Sequence, residues 1–237
     1  MFNEQNQAWS QTEISRALGL NMTSTYRFIN TLVQLGYLKK DKAGKKLRLG
    51  VRALALGSNL VRTMDLPRII RSLVDEVHDR HNITVDVALV IDEALTIVYR
   101  REAEDALIHR LPAISRAWHA TSLGKAYLAF LSDEDRDARA AELNLEARTP
   151  KTIVDRVALA AELKKTRERG FSVANEEFLP GLITIGAPLI NLDTGFSMGA
   201  VSFDFSTIQQ TAAGLVEDYS RLIVDLAEAL SQAISAT

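Results

Sequence analysis

The 237-residue chain contains no cysteine. That absence removes disulfides, thiolate metal sites and thiol nucleophiles from consideration. No stretch approaches the roughly eighteen consecutive apolar residues that a membrane span requires. The opening residues, MFNEQNQAWS, have neither the basic start nor the apolar run of a secretory leader. Internal repeats and low-complexity segments are also missing. With 47% apolar and 24% charged residues, an ordinary mixture, these absences predict a cytoplasmic globular protein with no membrane contact. Its length suits one large domain or two modest ones, and either can bury a core.

A net charge of -2 conceals an uneven distribution. Residues 1–62 hold ten Lys or Arg against three Asp or Glu, a local charge of +7, while residues 63–237 carry -9. A basic segment attached to an acidic body suits a polyanion partner for the first part alone. Charge by itself leaves a merely solvated basic face equally open.

Local patterns sharpen that choice. Ser10-Gln-Thr-Glu13 is a capping box, predicting a helix that carries Ile14, Ala17 and Leu18 and stops at Gly19. A second helix is expected from about Met22 to Leu35, ended by Gly36. Its spacing puts Thr25, Phe28, Ile29 and Leu32 on one face and Thr23, Tyr26, Arg27 and Asn30 on the other. Two helices joined by a three-residue turn form a helix-turn-helix, whose second helix can enter the DNA major groove. Residues 37–49 then read as two short strands about an Ala43-Gly44 turn, dense in lysine. A basic hairpin in that position is the wing of a winged helix. Arg27 can bridge guanine and Asn30 can pair with adenine. Thr23 and Ser24, at the helix start, suit phosphate, Tyr26 shares the exposed face, and Lys45 and Lys46 suit phosphate or the minor groove.

The chain then divides into a winged helix-turn-helix at 1–50, a linker helix at 51–65 and a larger domain at 66–237. In the larger part, Leu66 to Val77 form an amphipathic helix, and Thr84–Ile91 with Leu95–Arg101 form a hairpin. Helices are expected near 122–130, 132–144 and 152–169, and strands at 171–175, 182–192 and 197–205. A final helix is expected to open with the capping box Ser206-Thr-Ile-Gln209. This order predicts an α+β sheet domain with helices packed on it.

Catalytic motifs do not hold up. Gly195-Phe-Ser-Met-Gly199 has the spelling of a nucleophile elbow, which needs a strand before it and a helix after it. Here a turn precedes and a strand follows. Gly124-Lys125 lacks the remaining residues of a phosphate-binding loop. His78 and His81 find no carboxylate partner for a metal set, and Glu176-Glu177 point to opposite sides of an extended chain. No catalytic residue, metal or cofactor is expected.

Taken in order, Thr12-Glu-Ile-Ser-Arg-Ala-Leu-Gly-Leu20, Thr25-Tyr-Arg-Phe-Ile-Asn-Thr-Leu32, Gly36-Tyr-Leu38, Leu47-Arg-Leu-Gly50, Leu111-Pro112, His119-Ala-Thr-Ser-Leu-Gly-Lys-Ala126, Gly170-Phe-Ser-Val-Ala-Asn-Glu-Glu177, Gly181, Gly186-Ala-Pro188 and Gly195 resemble the IclR family of bacterial transcriptional regulators over nearly the whole chain. The resemblance implies a GAF-like effector-binding domain after the winged helix. It also implies a homodimer or homotetramer on palindromic operator DNA, controlled by a small organic acid. The family carries a full helix before the capping box, whereas nine residues precede Ser10 here, so the first helix reads as truncated. A GAF-like small-molecule-binding or hydrolytic protein that no longer binds DNA is the alternative.

By the same resemblance, the effector site falls at His119–Gly124 and on the strands from Asn175 onward. The expected contacts are His119, Thr121, Ser122, Gly124, Asn175, Thr184, Ser202 and Asp204. Thr121 and Ser122 offer hydroxyls and helix-start N–H groups to a carboxylate. Thr184 stands where many relatives carry cysteine, and Ser202 and Asp204 face one way on an alternating strand. Asp204 suits an anionic ligand only if it accepts from a ligand hydroxyl. Ser122 as a plain helix cap and Thr184 as plain packing remain open.

Overall fold

The computed structural model describes residues 1–2, 6–41, 45–56, 65–91, 93–108, 114–115 and 117–236; the side chains of 65–67 and 114–115 are outside that description. The chain divides into two compact units, Met1–Met64 and Asp65–Thr237. The expected wing turn at Ala43-Gly44, the hairpin residue Asp92, Leu111-Pro112 and the second half of the linker helix lie outside the described residues.

In the first unit, Ser10 caps helix α1 (Gln11–Leu18). Its hydroxyl accepts from the Glu13 N–H while the Glu13 carboxylate accepts from the Ser10 N–H at 2.6 Å. Gly19, at φ 63°, ends the helix in a left-handed conformation that a Cβ disfavours. Asn21 then caps α2 (Met22–Gln34) by accepting from the Ser24 N–H at 2.8 Å. Strands β1 (Leu38–Lys40) and β2 (Leu47–Leu49) pair antiparallel, and Trp9 adds a bridge to Leu47. Ile14, Ile29, Leu38 and Leu47 form the small core. A helical segment, α3, follows at residues 51–56.

One sequence expectation needs correction in this unit. Thr25 and Ile29 are buried as the helical spacing predicts, but Phe28 is 60% exposed and Leu32 39%. Both line an apolar cavity of about 370 Å³ together with Leu18 and Leu20. Helix α1 has eight residues against thirteen in α2, so it covers only part of the inner face.

The second unit begins with α4 (Asp65–His81), whose first turn contains Pro67, where a missing N–H costs nothing. Strands β3 (Thr84–Ile91), β4 (Ala94–Arg101) and β5 (Ile114–Ser115) follow. After a single 3-10 turn at Trp118–Ala120 come α5 (Ser122–Ala129), α6 (Asp133–Glu142) and α7 (Arg156–Arg169). Strands β6 (Ser172–Asn175), β7 (Leu182–Ile190) and β8 (Ser197–Ser206) lead into α8 (Ala212–Ser235). The six strands form one antiparallel sheet in the order β5-β4-β3-β8-β7-β6.

The alternation of side chains along each strand gives this sheet two different faces. Val85 and Val87 point into a core with Ile70 and Val74 of α4 and Leu215, Ile223 and Leu230 of α8. Ala88 and Leu95 join a second core with Trp118, Tyr127 and Leu128 near α5, and Leu159 and Leu163 of α7. The result is a helix–sheet–helix sandwich, the α+β arrangement expected from the element order.

Helix α8 starts later than the sequence predicts. Ser206 and Gln209 do exchange both capping-box bonds, at 3.0 and 3.2 Å, but these close a turn. The helix is capped by Thr211, whose hydroxyl accepts from the Gly214 N–H at 3.1 Å. The box is a three-residue loop of bonds, and a turn satisfies it as well as a helix does. Ser197 of the Gly-x-Ser-x-Gly sequence opens β8 and donates to the Gly199 carbonyl at 2.7 Å, so no elbow forms.

Candidate effector cavity and nucleic-acid interface

Close packing sets α5 onto the sheet. A Cβ on Gly186 would lie 3.0 Å from the Ser122 carbonyl carbon, and one on Gly124 would lie 2.3 Å from the Trp118 Cα. With Gly186 bare the start of α5 descends onto β7, and with Gly124 bare it packs against the 3-10 turn at Trp118. The Ser172 hydroxyl donates to the Ser122 carbonyl at 2.6 Å, and the Thr184 hydroxyl donates to the Ser122 hydroxyl at 2.7 Å. Thr121, not Ser122, is the helix cap, accepting from the Gly124 N–H at 3.0 Å. The leading N–H groups of such a helix have no partner within it and favour negative charge nearby.

Beneath this helix start lies a cavity of about 50 Å³. Thr121, Ser122, Thr184, Ser202 and Asp204 supply its polar lining, joined by Asp86. Leu95, Ile97, Leu123, Phe178 and Leu182 supply most of the apolar remainder. Five of the eight residues expected from the sequence therefore meet in one place. The other three lie outside the lining. Gly124 gives the close approach just described. His119 is buried with Nε2 3.1 Å from the Glu146 carbonyl, and burial holds its imidazole below the ordinary histidine range. Asn175 sits half-buried on β6 opposite Ile183.

The register explains the acidic wall. Asp86 on β3 stands opposite Arg100 on β4 and Ser202 on β8, while Asp204 stands opposite Thr84 and Thr184. Arg100 Nη1 donates to Asp86 Oδ2 at 2.6 Å and lies 4.0 Å from Asp204 Oδ2. The Ser202 hydroxyl donates to Asp204 Oδ1 at 3.0 Å. Burial pushes the Asp86 carboxyl well above the usual range, the neighbouring Asp204 adds to that, and Arg100 opposes it. Asp204 is also raised by burial, against Arg100 and Ser202. Two buried carboxyls facing one guanidinium favour retaining a proton between them.

Sequence reasoning missed Asp86 and Arg100. The available signal was a lone acid on the same alternating face as Thr84 and Ala88 in an otherwise apolar strand.

Behind the cavity, Lys125 of α5 is fully buried. Its ammonium donates to Glu177 Oε1 at 2.7 Å and to the Val173 carbonyl at 2.6 Å, with Glu162 at 4.0 Å. Neighbouring Glu176 takes the opposite direction, at φ 56°, accepting from the Gly181 N–H and pairing with Lys151. These acids brace the loop rather than forming a catalytic pair.

In the first unit, Thr23, Tyr26 and Arg27 are exposed on α2, with Tyr26 at 53%, while Ser24 and Asn30 are half-buried on the same helix. Lys45 and Lys46 are exposed at the start of the wing's return strand, and their backbone N–H groups both donate to Asp41 Oδ1. Among the described residues no group of three or more His, Asp or Glu is placed to hold a metal, and no helix is long and apolar enough to cross a membrane.

A helix-turn-helix with a basic hairpin, in a chain that also carries a sheet unit with a cavity, defines the class of transcriptional regulators. Comparison with known proteins narrows this. Residues 1–42 match the IclR helix-turn-helix domain, and residues 58–232 match the C-terminal part of the bacterial transcriptional regulator IclR. The chain belongs to the IclR family.

Among curated relatives, it is 28% identical over 221 residues to the HTH-type transcriptional regulator BhcR of Paracoccus denitrificans, covering 93% of this chain and 78% of that one. It is 27% identical over 187 residues to the transcriptional repressor IclR of Escherichia coli, covering 78% and 68%. Among solved structures, it superimposes on an IclR homolog from Microbacterium hydrocarbonoxydans complexed with 4-hydroxybenzoate, with a TM-score of 0.72 and 22% identity over 100% of this chain and 95% of that one. A transcriptional regulator from Alicyclobacillus acidocaldarius gives 0.78 at 20% identity, over 98% and 93%. The family is one of transcriptional regulators, not enzymes.

Proposed function

We propose that this regulator binds palindromic operator DNA as a homodimer or homotetramer and responds to a small carboxylate-bearing metabolite seated under α5. In this reading residues 1–50 grip the duplex, 51–65 link, and 66–237 bind effector and assemble the oligomer. Tyr26, Arg27 and Asn30 face base edges, Thr23 and Ser24 meet phosphate, and Lys45 and Lys46 meet phosphate or the minor groove. Thr121, Ser122 and Thr184 hold the effector's carboxylate end, and Ser202 and Asp204 meet its other end.

The observation that carries the reading is the cavity itself: the hydroxyl-bearing residues Thr121, Ser122, Thr184 and Ser202 line one space at the start of a helix. One structural neighbour holds 4-hydroxybenzoate, an acid in a protein of the same fold, which agrees with this choice of ligand. An effector controls binding only through unequal affinity for two arrangements of the oligomer.

The test is a gel-shift of the protein on the DNA upstream of its own gene, with and without millimolar small acids. A shifted band that some acid strengthens or abolishes is the expected result. Binding that no acid alters counts against the effector reading, and absence of any shift at low salt counts against the operator reading.

A further inference from the structure

The cavity has two chemically opposite walls. On one, Thr121, Ser122 and Leu123 form the start of α5, where a carboxylate is welcome. On the other stand two acids, Asp86 and Asp204, with Arg100 beside them. An acid that fills this space must present something to the second wall that carboxyl groups accept.

Asp86 states the requirement most clearly. It is 1% exposed, its Oδ2 accepts from Arg100, and its Oδ1 receives no hydrogen bond from an N–H or hydroxyl donor among the described residues, while its carboxyl stands close enough to Asp204 to share a proton with it. A methyl group placed there leaves that oxygen dry and unbonded, which is costly for a buried polar atom. A keto oxygen can accept the one proton that the pair retains, but it donates nothing to the ionised partner. An ammonium has only hydrogens to give and cannot accept the proton that the pair retains. A hydroxyl both donates and accepts, so it satisfies two carboxyls that hold one proton between them.

We infer that the effector is a small hydroxy acid and that Asp86 and Asp204 together are the residues that read its hydroxyl. This rests on the proposed effector site and names the class of molecule it admits. Asp86 acts here as a specificity-determining residue that the sequence alone did not single out.

The experiment is calorimetric titration of the full chain with both enantiomers of glycerate and lactate, and with propionate, pyruvate and alanine. Glycerate and lactate are expected to bind about tenfold or more tightly than propionate and pyruvate, with alanine no better than propionate. Asp86→Leu is expected to bring the lactate-to-propionate ratio close to one while propionate affinity holds or rises. Should Asp86→Leu fail to fold, Asp204→Val tests the same wall from β8, and the wild-type ratios decide without either variant. Equal binding of lactate and propionate, or tighter binding of alanine than lactate, overturns the inference. So does failure of every acid on the panel to bind a preparation that still shifts DNA. A preparation that binds neither acid nor DNA overturns the operator reading too, so the two failures are told apart.

Discussion

The Thr184 hydroxyl donates to the Ser122 hydroxyl at 2.7 Å, fastening the middle of β7 to the first residue of α5. Ser122 is held a second time through its carbonyl by Ser172 of β6. Thr184 therefore both lines the cavity and secures the helix above it.

Thr184→Val keeps the side-chain shape and removes the donor. The second unit should lose about 1–3 kcal/mol, because a buried hydroxyl is left with one partner fewer. The acid response should weaken, while operator affinity without ligand stays the same. Urea denaturation and gel-shifts with and without acid measure the two effects. Unchanged values in both would remove Thr184 from the site.

Lys125 offers a larger effect. Lys125→Met strands the Glu177 carboxylate in a buried position, where burial already raises its titration against the pull of Lys125. Breaking such a pair costs about 3–5 kcal/mol. Adding Glu177→Gln should restore part of that loss, since no uncompensated ion remains. A denaturation midpoint that the double variant lowers further would contradict this account.

The acid pair predicts a pH dependence with a definite sign. Asp86 and Asp204 titrate higher in the fold than in the unfolded chain. Between the ordinary carboxylate range and those raised values the folded form binds more protons, so stability falls as pH rises through that window. His119 acts oppositely: its lowered titration makes the fold lose stability as pH drops below the ordinary histidine range. Comparing wild type with Asp86→Asn cancels the histidine contribution. The stability of wild type relative to the variant should fall as pH rises above the ordinary carboxylate range, about pH 4. Parallel profiles would place the Asp86 proton elsewhere.

For the DNA-facing helix, Arg27→Ala should weaken operator binding by about 1–3 kcal/mol and relax the preference at one base pair. Lys46→Ala should weaken operator and random DNA alike and reduce the salt slope by about one. If a dimer neutralises roughly 6–10 phosphates, affinity should drop by about 10³–10⁵ between 50 and 200 mM salt. Fluorescence anisotropy on both DNAs supplies all three numbers. An equal loss for Arg27→Ala on both would make Arg27 a phosphate contact.

Features that depend on neighbours three or four residues away were legible before any coordinates. The Ser10–Glu13 box, the Gly19 stop and both ends of the 84–101 hairpin are of this kind. The same locality misled at Ser206–Gln209, because identical bonds close a turn there. Alternation placed Ser202 and Asp204 on one face, and the family resemblance brought Thr121, Ser122 and Thr184 to the same site. Neither revealed that Asp86 completes it. That depends on strand register across β3 and β8, between residues more than a hundred positions apart. The Lys125–Glu177 pair, 52 residues apart, was hidden for the same reason.

Gly186 puts the main chain of β7 against Ser122 of α5, so the clearance between helix and sheet is fixed by atoms that ordinary substitution does not alter. Exchanges at positions 86, 174, 184 or 204 can then change what the chamber attracts without changing its height. A scaffold of that kind can be retuned from one metabolite to another by a few mutations, each judged on chemistry alone.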